Sequence, residues 1–186
     1  MNTLPCITVH HYIDPDFQSQ RTRWLTDEEV GFLEDHDVSA CVDVCITRNN
    51  RQEMLVGLRT ENPAIGLAWI MGGGMRPGET IPQTAQRNTA RETGLQIEDL
   101  SRFIFVSVGN YTWSLRQKAP QKNGCHKIGL NVTIDIAPEE VAQIDPRPDF
   151  SALHWVSVQA VAEGCIHKTH RAMHDMATQL VLARPS

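Results

Sequence analysis

Residues 72–95 constrain this chain more than any other stretch, because they join a glycine-rich loop, a capped polar helix and a glycine stop at fixed spacing. The loop is Gly72-Gly73-Gly74-Met75-Arg76-Pro77-Gly78-Glu79, and Thr80 after it is a good N-cap. Gln83 completes a capping-box pattern, and Pro82 falls in the first turn, where its missing N–H costs little. Gly94 supplies the left-handed residue that ends a helix. The spacing therefore predicts a loop, a helix ending just before Gly94 and a second loop. The helix is odd for a core element. Its apolar stripe is only Ile81, Ala85 and Ala90, while Arg87, Asn88, Arg91 and Glu92 crowd its C-terminal half. Arg87 and Arg91 are four apart and repel by about 0.2–0.5 kcal/mol on a bare helix. Either an anion stands beside them or both are solvated surface arginines.

Length and charge bound the setting. A chain of 186 residues, 41% hydrophobic, has room for one domain with a sizeable core and a terminal extension. A formal net charge of -5 argues against a general nucleic-acid surface, which wants a basic stripe. No apolar run approaches the length that spans a bilayer, and the N-terminus lacks the basic-then-apolar signal pattern. Five cysteines without paired spacing fit a reducing cytoplasm. Cys41 and Cys45, four apart in a strand, share a face and read as small core residues.

Residues 1–37 read as an extension, with a short strand over 7–13 and a helix opened by Thr26-Asp27-Glu28-Glu29. Trp24, Val30, Phe32 and Leu33 give it an apolar face that covers either the domain or a partner subunit. His10 and His11 are adjacent in the expected strand, point to opposite faces and make a poor metal pair. Residues 39–47 read as a buried strand in which Asp43 is a charge inside an apolar run. A buried carboxylate needs partners, so Asp43 is either a satisfied structural residue or a ligand contact. Asn49-Asn50-Arg51 turns the chain into a second strand over 53–58. Two long strands follow over 103–115 and 127–136, joined by the basic loop 116–124, which either closes over a polyanion or is solvated. A short helix at 138–141 and the rigid loop 145–150 lead into a strand around Trp155. The expected C-terminal helix places His167, His170 and His174 on one face, without the further ligand a zinc site needs.

The central stretch resembles the Nudix box, G-x5-E-x7-R-E-U-x-E-E-x-G-U with U aliphatic. Gly73, Glu79, Arg87, Glu92, Gly94 and Leu95 fall on its fixed positions, while Asn88 and Arg91 stand where the family has metal-binding glutamates and Thr89 replaces the aliphatic residue. The run Arg87-Asn88-Thr89-Ala90-Arg91-Glu92-Thr93-Gly94 is similar to the degenerate R-x-T-x-x-E-x-G of the GDP-mannose mannosyl hydrolase branch. The resemblance implies an α+β Nudix fold over residues 38–186, a mixed β-sheet sandwiched between α-helices. It also implies roles. Arg59, in Arg59-Thr60-Glu61-Asn62-Pro63-Ala64, would stabilise the departing diphosphate, a task suited to a planar, always-charged fork. Asp43, His126 and His167 would contact substrate. Asp149 and Phe150 fall where the branch has a metal-binding Gln and a general-base His, and Phe150 cannot take a proton.

A full box gathers carboxylates around several Mg2+ ions, and Asn88 and Arg91 remove that charge. The expectation is one Mg2+, with Mn2+ as an alternative, on Glu92, the Gly72 carbonyl and Asp149. Arg59, Arg76 and Arg87 would neutralise a departing nucleoside diphosphate while water attacks the sugar carbon. Asp149 or His126 would serve as base, and Glu79 would brace the loop against Arg87. The expected activity is Mg2+-dependent hydrolysis of a GDP-mannose-like nucleotide sugar. The alternatives are diphosphate-bond cleavage and a regulatory module that binds a nucleotide without turnover. A homodimer is expected by analogy with the family.

Overall fold

The structure, a computed structural model, describes residues 9–12, 14–20, 23–145 and 150–182. In chain order the helices and strands are α1 (Asp27–His36), β1 (Ser39–Arg48), β2 (Glu53–Arg59), β3 (Ala68–Trp69), β4 (Met71–Gly74), α2 (Ile81–Thr93), β5 (Ile104–Trp113), β6 (Cys125–Asp135), α3 (Pro138–Val141), β7 (Phe150–Ser157), α4 (Val158–Ala162) and α5 (Arg171–Leu182). The fold is α+β, one mixed sheet with helices packed on it.

β1 is the central strand. Its residues 42–47 are buried without a break, polar Asp43 and Thr47 included, as expected of a strand covered on both faces. β6 runs parallel along one edge of β1, and β5 pairs antiparallel outside β6. The other edge is divided. β4 pairs with β1 from Cys41 to Val44, and β2 pairs with it only at Thr47 and Arg48. β2 then carries β3 and β7, so it diverges from β4 and opens a cleft above the first half of β1. The turn between β1 and β2 is left-handed at Asn49, Asn50 and Arg51, and the Asp135 carboxylate accepts the Arg51 N–H at 3.1 Å.

Helix α2 forms as its sequence predicts. The Thr80 hydroxyl accepts the Gln83 N–H, the Gln83 side chain accepts the Thr80 N–H at 2.8 Å, and Gly94 ends the helix at φ 75°. Ile81 and Ala85 are buried, but so are Asn88, Thr89 and Glu92, and the helix packs across β1 and β4.

Three expectations change. Residues 9–12 form no strand. α1 forms with a Thr26–Glu29 capping box, yet Trp24, Phe32 and Leu33 on the extension stay exposed. What attaches α1 is ionic. Glu34 pairs with Lys127 at 2.6 Å, Asp35 with Arg116 at 2.6 Å, and Asp27 with Lys118 at 2.9 Å. Finally, α5 starts at Arg171, so His167 and His170 lie outside it and the histidine face does not form. His170 instead packs against Trp69 and Trp113, and His174 bonds the Thr169 hydroxyl at 2.6 Å.

Candidate functional site

Arg87 ties the end of the loop before α2 to the helix. Arg87 meets Glu79 through two bonds of 2.6 and 2.7 Å, donates to the Gly74 carbonyl at 2.9 Å and to the Asn88 side-chain oxygen at 2.9 Å. Partial burial raises the Glu79 carboxyl, but the Arg87 fork, the Thr84 hydroxyl and the Arg76 N–H outweigh it and hold the pKa at about 2. The anion beside Arg87 is therefore Glu79.

The anion beside Arg91 is Glu92. Glu92 is only 3% exposed, and one of its oxygens accepts the Gly72 N–H at 2.9 Å. The other accepts Arg91 Nη2, which also donates to the Gly72 carbonyl at 2.7 Å. Asn88, fully buried, donates to the carbonyls of Val42 and Gly73 at 3.2 and 3.1 Å. Two positions that bear ligand carboxylates in the Nudix box are thus N–H donors here. Among the described residues, no three His, Cys, Asp or Glu side chains gather where they could hold a metal ion. Of the described donors, the Gly72 carbonyl and Glu92 do not fit a metal as they stand, since the Arg91 guanidinium already bridges them.

Gly72, Gly73, Arg91 and Glu92 form one wall of a cavity of about 320 Å³ above the first half of β1. Asp43 lies at its floor, 6% exposed, directly over two glycines. A Cβ at Gly72 would stand 2.1 Å from its Oδ1, and one at Gly129 would stand 3.3 Å from its Oδ2. Burial pushes the Asp43 carboxyl up to about 7, with Arg59 pulling weakly the other way. Arg59, at the end of β2, lines the same cavity, and Phe150 pairs with it across β2 and β7. The opposite wall is aromatic. Trp69, Tyr111 and Trp113 stack or meet edge-on with centroids 5.8–6.2 Å apart. Tyr111 lies across the glycine pair Gly109–Gly129, where any Cβ would come within 2.3 Å of its ring or hydroxyl.

The structure thus brings Asp43, Arg59, Gly72 and Glu92 together. Other expected residues fall elsewhere. Arg87 is spent on Glu79 and does not line the cavity. Arg76 lies 4.7 Å over the Trp24 ring. His126 sits at a register position between Cys125 and Lys127, pairs with Thr112 and bonds Asn110 at 2.5 Å, away from the cavity lining. His167 is exposed and outside the lining. Asp149 lies outside the described residues. Residues not singled out as contacts from sequence are Trp69, Tyr111, Trp113 and Lys127. The period-2 spacing of Tyr111 and Trp113 was the available signal. The basic loop 116–124 does not present Arg116 to a ligand, because Arg116 is fully buried between Asp35 and the carbonyls of Lys118, Ala119 and Gly124.

Comparison with known proteins gives the frame. A family model for the NUDIX domain matches residues 37–176. Among solved structures, a MutT NUDIX hydrolase from Burkholderia pseudomallei superposes with a TM-score of 0.59 at 18% identity, over 77% of this chain and 98% of that one. The NUDIX domain of Shewanella oneidensis NrtR, in complex with ADP ribose, gives 0.54 at 16% identity over 82% and 98%. A bifunctional NMN adenylyltransferase/ADP ribose pyrophosphatase from Francisella tularensis, with AMP and a Mn ion, gives 0.57 at 17% over 78% of this chain. This chain spans 41% of that bifunctional protein. With three-quarters of its length inside the family model and the family's sheet and box helix in place, the chain belongs to the NUDIX domain family.

Proposed function

We propose that this enzyme hydrolyses a nucleoside diphosphate sugar, with GDP-mannose-like substrates first in line, and releases nucleoside diphosphate and free sugar. The observation that carries the reading is the cavity, where Arg59 and Arg91 stand beside Asp43 and face an aromatic wall. Arginine forks suit diphosphate oxygens, and Trp113 with Tyr111 offers a stacking surface for a ring. Asp43 is the proton acceptor in this reading. It lines the cavity, and a carboxyl poised near 7 is matched to accepting a proton at neutral pH. Water bonds to the sugar C1, the C1–O bond to the diphosphate breaks, the water proton passes to Asp43, and the diphosphate leaves against Arg59. Nudix hydrolases generally use divalent metals, and Mg2+ on Gly72, Glu92 and Asp149 is the expectation the resemblance carries. With the first two bridged by Arg91, no step here is routed through a metal.

Phosphorus NMR after incubation with GDP-mannose, ADP-ribose and other nucleotide sugars in H2(18)O tests this. Nucleoside diphosphate with the label in the sugar supports attack at carbon. Nucleoside monophosphate with sugar phosphate supports the second reading, diphosphate-bond cleavage, which the ADP ribose pyrophosphatase name of the Francisella protein favours. Binding without turnover would move the weight to a regulatory module. Asp43→Asn is expected to lower turnover about 10²–10⁴-fold. A variant that keeps its rate would remove Asp43 from the mechanism. We also propose that the exposed apolar residues of the extension, Phe32 and Leu33 among them, meet a second copy, which light scattering of the intact chain would test. No described helix is long and apolar enough to cross a membrane, and a cytoplasmic setting remains part of this proposal.

A further inference from the structure

We infer that the Arg91 guanidinium is the resident cation of this site, standing where a divalent ion would otherwise bridge Gly72 and Glu92, so that the site holds a diphosphate without a metal. The inference rests on the reading of the cavity as a diphosphate site.

The geometry is specific. One nitrogen, Nη2, donates both to the Gly72 carbonyl and to Glu92. An ion bonded to those two oxygens would compete with Nη2 for both of them. The guanidinium packs close to Gly73, where a Cβ would stand 3.0 and 3.2 Å from Nη2 and Nη1. A side chain there would crowd the guanidinium. Glu92 is buried, and a buried carboxylate must be paired, so the arginine does for it what a metal does elsewhere. Next along the helix, Asn88 turns a second potential ligand position into a donor to the Gly73 carbonyl. Both substitutions remove negative charge from this end of α2, and Arg91 adds a positive one. With Arg91 and Asn88 in place, Glu92 is the one carboxylate that α2 buries, and Mg2+ holds poorly to a site without several anionic oxygens.

Arg91 is also placed to act on a ligand. Its side chain is 46% exposed and lines the cavity beside Asp43. A guanidinium has five N–H donors and matches phosphate geometry in a way a single nitrogen does not.

The test uses the full chain and two readouts. In the first, manganese electron paramagnetic resonance follows uptake of Mn2+ by wild type and by Arg91→Glu, which restores the carboxylate of the box. Wild type is expected to leave the signal of free Mn2+ unchanged, and Arg91→Glu to bind the ion at least about tenfold more tightly. In the second, calorimetry measures ADP, GDP and UDP binding in EDTA and in Mg2+. Wild-type affinity is expected to differ less than about threefold between the two, and Arg91→Ala to lose at least about tenfold in EDTA. Stoichiometric Mn2+ uptake by wild type, or nucleoside diphosphate binding only with metal, overturns the inference. The wild-type arms decide even if a variant fails to fold. Failure of the proposed function looks different, with nucleoside diphosphate bound in EDTA but no nucleotide sugar turned over.

Discussion

Thr89 shows at the residue scale how a departure from a family pattern leaves a physical trace. It occupies a position the Nudix box gives to an aliphatic side chain, and its hydroxyl is buried with no hydrogen-bond partner among the described residues. An orphaned hydroxyl costs about 1–3 kcal/mol, so Thr89→Val is expected to raise stability by about 1 kcal/mol or more in urea titration. An unchanged midpoint would mean that the hydroxyl is satisfied. Glu79 is the opposite case, a carboxylate over-supplied with donors. Its folded pKa of about 2 lies below the ordinary 4.5, so its contribution is fully present above about pH 4.5 and is lost as pH falls through about 2. Glu79→Gln is expected to cost up to about 3 kcal/mol at pH 7, with the gap to wild type closing in acid. A gap that stays constant with pH would exclude the Arg87 pair as its source.

At the scale of elements, α1 reaches the cavity through Glu34 although it lies outside the box. Gly31 brings the helix so close to the loop before β6 that a Cβ there would stand 2.3 Å from the Ala119 carbonyl. Arg116 rises from that loop and ties it to Asp35, while Glu34 pairs with Lys127 and lines the cavity. Replacing Arg116 by Met keeps the volume but removes the donor to three carbonyls and leaves Asp35 with Asn123 alone. The expected cost is about 2–4 kcal/mol in chemical denaturation, accompanied by weaker ligand binding through the displaced loop. A near-neutral Arg116→Met would show that packing, not the ion pair, holds α1.

At the scale of the whole molecule, residues 1–37 are expected to be part of the folding unit. A chain of residues 38–186 loses the carboxylates facing Arg116 and Lys127. If that loss is about 3 kcal/mol, its melting temperature should fall by about 6–12 °C. Equal melting temperatures would make the extension a passive appendage.

What could be read along the chain was whatever local spacing decides. The capped helix of residues 81–93, the β1–β2 hairpin and the two long strands depend on turn residues and periodicity within a few positions, and they formed within a residue or two of expectation. The family followed from the same local pattern. Partner choice was not local. The pairing of Arg87 with Glu79 spans eight residues and could be expected, whereas Arg91 reaches back to Gly72, Asp43 is desolvated by strands far along the chain, and Arg116 meets Asp35 across 81 residues. A charge in a sequence does not say whether it will face water, a metal or another charge. Only the packed sheet, by placing Glu92 and the Gly72 carbonyl around one guanidinium, decided that Arg91 lines the cavity and that His126 and His167 lie outside it.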